Sequence, residues 1–280
     1  MRAAMMAALL WTLPAASMAA PDAPPVARFV WHELMTRDAA AAARFYSAVL
    51  GWTTTVETVP QGDYILGAAG GTQVVGMMDL TPDAVAAGAP AGWMGYVAVA
   101  DVDAKAAEAE AAGGRICHPA FDIPGVGRFA TVADRDGVPI CLFKGSGSDE
   151  APVSAPDAPG NIGWNELVTD DLDAAWAFHA GLFGWAKDEA IDMGPLGTYQ
   201  LFAAAPGLPP MGGMMRRPPE VPRPGWLTYF NVAALDAAID RVRGAGGQAV
   251  SAPMQVPGGS WVVSCIDPQG VAFALVGPQR

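Results

Sequence analysis

The stretch WHELMTRDAAAAARFYSAVLGW, residues 31–52, returns in nearly the same form as WNELVTDDLDAAWAFHAGLFGW, residues 164–185. The second copy lies 133 positions after the first, and the same offset still aligns Asp134 with Asp267 far downstream. Chance similarity does not keep one register over such a length. The sequence therefore predicts a duplicated domain.

A shorter repeat lies inside each half. Four stretches of helical character open with an aspartate, whose carboxylate can accept hydrogen bonds from the first free helix N–H groups. Each follows a strand-like run, such as 29–36, and precedes short alternating runs broken by turns, such as 52–59. The repeating unit is therefore strand, helix and three strands, or βαβββ. The four aspartates are Asp38, Asp103, Asp171 and Asp236.

A single unit of this kind cannot cover both faces of its own sheet. Two units side by side bring eight strands into one sheet, with the helices outside and the inner face free. The sequence therefore predicts an α+β fold of four tandem βαβββ units, which pair into two cup-shaped, eight-stranded mixed sheets. Each copy of the opening stretch begins a separate cup.

The composition is that of a globular chain without a nucleic-acid surface. Of 280 residues, 52% are hydrophobic and 16% are charged, and the formal net charge is −12. Nucleic-acid binding needs Lys and Arg clustered on one face to neutralise phosphates. The sole adjacent basic pair, Arg216 and Arg217, lies in Met-rich and Pro-rich sequence. We therefore expect no nucleic-acid partner.

The start of the chain has the layout of a secretory signal. Arg2 precedes an apolar run over 3–13, followed by Pro14 and small residues up to Ala19. An apolar run of about eleven residues is shorter than the roughly 20 that a membrane-spanning helix needs. We therefore expect a signal peptide over 1–19, export from the cytoplasm and no membrane span. The alternative is a cytoplasmic protein whose start site has been assigned too far upstream.

The motif D-x-x-x-A-x-x-F-Y-x-x-V-L-G-W over 38–52 resembles the vicinal oxygen chelate superfamily, which includes glyoxalase I, bleomycin-resistance proteins and extradiol dioxygenases. The second-unit openers VAVADVDA and FNVAALDA and the end turns ADRDGVPICLF and IDPQGVAFALV resemble it too. The resemblance covers 28–145 and 161–277 and leaves the Ser-rich, Pro-rich and Gly-rich 146–160 as a linker. It implies two tandem domains that pack as an intramolecular pseudo-dimer, and it leaves the reaction open.

Family members with metal chemistry hold a divalent ion by His, Gln or Glu side chains, near the start of a unit's first strand and the end of its last. Counted from the four aspartates and the end-turn glycines, these positions carry no strong hard-metal ligand in either half. The resemblance therefore implies an erased metal site, and we expect neither a metal nor another cofactor. The positions fall on Trp31, Trp164, Met94, Leu227, Cys141 and Ala274, with the remaining pair near Met77 and Met214.

Strand alternation places residues 31, 33 and 35 on one face, which the resemblance makes the interior of the cup. Trp, Met and one carboxylate suit a flat, largely apolar small molecule that carries a hydrogen-bond donor or a positive charge. Glu33 and Glu166 are alternatively structural, accepting from a backbone amide or from Arg128, and the aromatic residues are alternatively core. The candidate ligand contacts on strands are Trp31, Met35, Tyr96, Trp164 and Tyr229.

Two equivalent loops predict that the cups have diverged. PGVGR ends in Arg128, whereas PGGSW ends in Trp261. We expect Arg128 to favour an anionic group in the first cup and Trp261 to favour an aromatic ligand in the second.

Three functions remain open. The first is a metal-independent module that binds a small apolar or aromatic molecule. The second is a lyase or isomerase of glyoxalase type, in which Glu33 or Glu166 acts as general base. The third, metal-dependent glyoxalase or dioxygenase chemistry, needs ligands that the sequence lacks. We place the first ahead of the second, and the sequence does not decide whether the protein is an enzyme.

Overall fold

A computed structural model describes residues 26–59, 62–86, 88–147 and 157–280. The expected signal peptide, 1–19, lies outside these residues, as does much of the expected linker. The first half contains β1 (Phe29–Thr36), α1 (Ala39–Leu50), β2 (Thr53–Val59), β3 (Gly62–Ala69), β4 (Thr72–Asp79), α2 (Pro82–Ala86), β5 (Gly92–Ala98), α3 (Val102–Ala111), β6 (Arg115–Ile123), β7 (Gly127–Ala133) and β8 (Pro139–Gly145).

The second half repeats this order. Besides a short 3-10 helix at Gly194–Leu196, it contains β9 (Ile162–Thr169), α4 (Leu172–Phe183), β10 (Ala186–Asp192), β11 (Thr198–Ala203), β12 (Pro210–Arg216), β13 (Gly225–Asn231), α5 (Leu235–Gly244), β14 (Gln248–Ala249), β15 (Met254–Gln255), β16 (Trp261–Ile266) and β17 (Ala272–Gly277). The predicted succession of βαβββ units is confirmed, with α2 and the division of β14 from β15 as additions.

Each half forms one mixed sheet from its two units, as predicted. The first sheet has the order β2-β3-β4-β1-β5-β8-β7-β6, and the second has the order β10-β11-β12-β9-β13-β17-β16-β14, with β15 paired to β16. The first strand of each unit pairs in parallel with the last, and the two first strands pair antiparallel at the centre. We call the face that carries Glu33 or Glu166 the cup face, and the opposite face, on which the helices pack, the helix face.

Two of the four predicted helix starts shift by one or two residues. Asp38 and Asp171 cap α1 and α4 as expected. Asp103, however, lies inside α3, because the carboxylate of Asp101 accepts the Ala104 N–H at 3.0 Å and caps the helix. Asp236 lies inside α5, whose first amides donate to main-chain carbonyls of the C-terminal segment at 2.8 and 3.1 Å.

The helix faces of the two halves pack against each other. One hydrophobic cluster joins the first unit, including Phe45 and Trp52, to the fourth unit, including Phe230 and Phe273. A second cluster joins the second unit to the third in the same way. The halves therefore share their cores, as expected for an intramolecular pseudo-dimer.

Equivalent residues meet where the two halves cross. His32 and Asn165, which are 133 positions apart, contact each other through Nε2 and Oδ1 at 2.6 Å. Burial lowers the pKa of His32 to about 4, so this ring is neutral at pH 7. At another equivalent pair of positions between the halves, Tyr46 donates to Asp267 at 3.3 Å, and His179 contacts Asp134 at 3.3 Å. The interface is therefore built from reciprocal contacts.

Within the described ranges, none of the helices has the length and apolar character needed to cross a membrane.

Candidate functional site

Glu33 lies at the centre of a hydrogen-bond network on the first cup face. Its Oε2 accepts from the Tyr64 hydroxyl, and its Oε1 accepts from the Tyr96 hydroxyl, each at 2.9 Å. The indole N–H of Trp31 donates to the Tyr64 oxygen at 3.0 Å. Three strands of the sheet, β1, β3 and β5, thus converge on one carboxylate.

The second half builds the same network. Both Tyr199 and Tyr229 donate to Oε2 of Glu166 at 3.0 Å. The Trp164 indole N–H donates to the Tyr199 oxygen at 2.7 Å. Both copies of the duplicated domain therefore carry the same arrangement of side chains on the cup face.

A glycine in the neighbouring strand makes room for the network in each half. Gly76 pairs with Glu33, and Gly213 pairs with Glu166. A Cβ at Gly76 would lie 1.9 Å from the Tyr64 hydroxyl, and one at Gly213 would lie 2.3 Å from the Tyr199 ring. The tyrosines can therefore lie across the sheet to reach the carboxylates because these two positions have no side chain.

Burial determines the protonation of the network. Burial raises the pKa of Glu33 and Glu166, and the hydrogen bonds from the tyrosines oppose part of that shift. Burial and the adjacent carboxylate raise the pKa of Tyr64 and Tyr199, so the phenols stay protonated and act as donors. Each cup therefore presents a carboxylate that is supported by two neutral phenols.

Six of the nine candidate residues meet in these two networks. They are Trp31, Glu33 and Tyr96 in the first half and Trp164, Glu166 and Tyr229 in the second. Met35 lies half-buried on the same face of β1, opposite Met78 of β4. The strands therefore bring together most of the residues that the alternation argument selected.

Arg128 and Trp261 lie on the other side of their sheets. Phe129 faces Tyr96, so its neighbour Arg128 points to the helix face, where its guanidinium binds Asp103 at 2.6 and 2.7 Å and Asp122 at 2.8 Å. Trp261 packs against the hydrophobic cluster of the helix face. This placement corrects the expectation that the two residues line the cups, and it removes the structural basis for the ligand preferences assigned to them. Glu33 and Glu166 likewise accept from tyrosines instead of Arg128.

The expected metal positions offer poor donors. Met94 and Cys141 lie on the cup face, and burial with the nearby Glu33 raises the pKa of the Cys141 thiol, which keeps it protonated. Met77 and Met214 are fully buried on the helix face, so the glycines beside them occupy the equivalent cup positions. Within the part of the chain that the structure describes, no group of three or more His, Cys, Asp or Glu side chains could hold an ion. The donor set does not fit the divalent metal of the family resemblance.

Sequence reasoning missed Tyr64 and Tyr199. They are offset by 135 positions, because the second half is two residues longer before this strand, so the fixed offset does not pair them. The available signal was a glycine in a strand that lies next to a strand with an aromatic residue. A glycine inside a strand often marks a place where another group approaches the backbone closely.

Comparisons with known proteins agree with the duplicated architecture. A family model described as Glyoxalase/Bleomycin resistance protein/Dioxygenase superfamily matches residues 28–142 and 161–275. The Mycobacterium tuberculosis protein CFP32, which carries a provisional glyoxylase name, is 32% identical over 89% of this chain and 94% of its own length. The anthracycline biosynthesis protein DauV of Streptomyces sp. (strain C5) is 31% identical over 92% of this chain and 94% of its own.

Solved structures share the fold at low identity. The Mn(II)-bound glyoxalase from Novosphingobium aromaticivorans has a TM-score of 0.58 and 16% identity over 91% of this chain and 82% of its own. The 2,2',3-trihydroxybiphenyl 1,2-dioxygenase from Sphingomonas wittichii strain RW1 has a TM-score of 0.63 and 13% identity over 90% of this chain and 91% of its own. At these identities the likeness shows the fold alone.

Proposed function

Because the chain belongs to the glyoxalase/bleomycin resistance protein/dioxygenase superfamily, we propose that it binds a small, largely apolar or aromatic molecule at its cup faces without a metal ion. The observation that carries the proposal is the duplicated network, in which two tyrosines and a tryptophan surround one carboxylate. A neutral or cationic organic ligand fits this set of side chains better than a hard metal ion does.

The hydrogen-bonding capacity of the network defines the ligand chemistry. Tyr64 and Tyr96 use their hydroxyl protons on Glu33, so the groups left for a ligand are acceptors. The faces of aromatic rings attract ammonium groups, and a partly buried carboxylate strengthens that attraction. An anionic ligand would be repelled by the same carboxylate. We therefore propose an apolar body with an ammonium or hydroxyl donor.

The name of one relative is consistent with this ligand class. DauV is named for anthracycline biosynthesis, and anthracyclines are flat polycyclic aromatic compounds. We propose a flat aromatic compound as the first class to test on this chain.

Replacing both carboxylates tests the proposal. Calorimetric titration of the parent protein at pH 7 should show tighter binding of naphthylmethylamine than of naphthalenemethanol, and the weakest binding of naphthoate. The double variant Glu33→Gln/Glu166→Gln should weaken amine binding about ten- to a hundredfold, because it removes a charge-assisted hydrogen bond. Binding of the neutral alcohol should change by no more than about threefold, within what the net value of a neutral hydrogen bond allows.

Two controls accompany this titration. Glu189→Gln removes an exposed carboxylate from β10 and should leave all three affinities unchanged. Amine affinity should also rise with pH, because the cation binds the ionised carboxylate, whose pKa burial raises above its ordinary 4.5. Naphthoate binding as tightly as the amine, or an unchanged preference in the double variant, would refute the proposed ligand chemistry.

A second candidate function is a lyase or isomerase of glyoxalase type. It is favoured by the raised pKa of the buried carboxyls, which suits a general base that takes a proton from carbon and returns it. In that case the parent should turn over an α-oxoaldehyde hemithioacetal, and the variant of the active cup should lose roughly a hundredfold or more in rate. Turnover that survives in the double variant Glu33→Gln/Glu166→Gln would rule this candidate out.

A further inference from the structure

The two cups share their central network but differ in the wall beside it. In the first cup, Phe129 stacks on Phe143 with ring centroids 4.8 Å apart and on Phe121 at 5.6 Å. Tyr96 meets Phe129 edge-on at 6.1 Å. Tyr96, Phe129 and Cys141 form a hydrophobic cluster of their own, with Phe143 packed against it. The aromatic side chains thus pack on one another where a ligand would lie.

The equivalent wall of the second cup consists of smaller residues. Val262 and Val276 replace Phe129 and Phe143, and they are paired across β16 and β17. Other cup-face positions change in the same direction, since each replacement removes side-chain atoms. These positions are Ala274 in place of Cys141, Ser264 in place of Thr131 and Val168 in place of Met35.

The two carboxylates also differ in how many hydrogen bonds each of their oxygens accepts. Each oxygen of Glu33 accepts a hydrogen bond from one tyrosine. Both tyrosines of Glu166 donate to the same oxygen, Oε2. Within the described residues, no side chain or backbone group donates to Glu166 Oε1. The second cup therefore combines smaller side chains on its wall with an oxygen that accepts no hydrogen bond from the described residues.

We infer that the second cup is the ligand-binding site of this protein and that the first cup is closed by its own aromatic residues. This inference rests on the proposed function and assigns it to one half. The ligand class is a small aromatic or alicyclic molecule whose ammonium or hydroxyl group donates to Glu166 Oε1. Val262 and Val276 determine its specificity, because they set the space above Tyr229.

Exchanging the walls of the two cups tests this inference. The parent should bind one naphthylmethylamine per chain in a calorimetric titration. Val262→Phe/Val276→Phe, which copies the first wall into the second cup, should weaken that binding at least tenfold. Phe129→Val/Phe143→Val, which copies the second wall into the first cup, should add a second site. Thermal unfolding of each variant establishes that it is folded.

Single carboxylate variants keep the test valid if a wall exchange prevents folding. Glu166→Gln should weaken amine binding at least tenfold and more than Glu33→Gln does, since only Glu166 has an oxygen that accepts no hydrogen bond from the described part of the protein. Glu189→Gln, at an exposed position of β10, should leave the affinity within about twofold. The inference is overturned if Glu33→Gln causes the larger loss or if the parent binds two molecules per chain, and both results leave the proposed function standing. A parent that binds no amine overturns the proposed function, and the inference with it.

Discussion

The Phe45→Ala variant is expected to unfold with a free energy lower by about 3–5 kcal/mol, the usual cost of truncating a buried phenylalanine. Phe45 is 4% exposed, and its ring meets Phe273 of the other half at 5.8 Å. A Cβ at Gly247 would lie 2.8 Å from the same ring, so this glycine lets the ring enter the second half. The substitution therefore leaves a cavity whose walls belong to both halves, and neither half can close it alone.

Urea denaturation followed by tryptophan fluorescence measures this loss. Arg44→Ala, at an exposed position of the same helix, is the matched control and should change stability by less than about 0.5 kcal/mol. Phe178→Ala, at the equivalent position against Gly114, should behave like Phe45→Ala. A loss below about 1 kcal/mol for both phenylalanine variants would show that the halves are not joined through these rings.

In alkali, the folded protein is expected to show no tyrosinate absorption until it unfolds. All five tyrosines have a pKa raised by burial, and acidic side chains add to the shift, Glu33 and Glu166 in the cups and Asp267 beside Tyr46. The folded state therefore keeps protons that the unfolded state releases above its pKa of about 10. The contribution of these raised pKa values to the free energy of unfolding is fully present below about pH 10. It falls as pH rises above that value, by on the order of 1 kcal/mol per pH unit for each tyrosine.

Ultraviolet absorbance and circular dichroism recorded together between pH 8 and pH 13 test this expectation. Phenolate absorbance should appear in one cooperative step that coincides with loss of secondary structure. The same titration in guanidinium chloride should give an ordinary midpoint near pH 10. A reversible fraction of the signal near pH 10 in the folded protein would show that at least one tyrosine is accessible to solvent and outside its network.

The order of elements was predictable because it depends on local patterns. The caps at Asp38 and Asp171 and the alternation along β1 each depend on a few neighbouring residues. The repeat of the stretch Trp31–Trp52 shows that the same local patterns return in the second half. The start of α3 was misplaced because two aspartates stand two residues apart, and Asp101 caps the helix while Asp103 binds Arg128. The start of α5 was misplaced because main-chain carbonyls far along the chain accept from its first amides.

The site was less predictable because it depends on which strands become neighbours. Alternation along β1 correctly put Trp31 and Glu33 on one face. It could not show that Tyr64 reaches Glu33 from two strands away over Gly76, because no short-range pattern encodes that contact. The sequence motifs that contain Arg128 and Trp261 suggested proximity to the cups. Alternation along β7 and β16, however, turns both side chains to the helix face.

Calorimetric titration of chelator-treated protein with naphthylmethylamine tests metal-free binding at the cup carboxylates most directly. Saturable binding is predicted, with an affinity that Mn²⁺ or Fe²⁺ does not change and that Glu33→Gln/Glu166→Gln weakens about ten- to a hundredfold. Binding that appears only after one of these ions is added, together with retention of one ion per chain in elemental analysis, would contradict it.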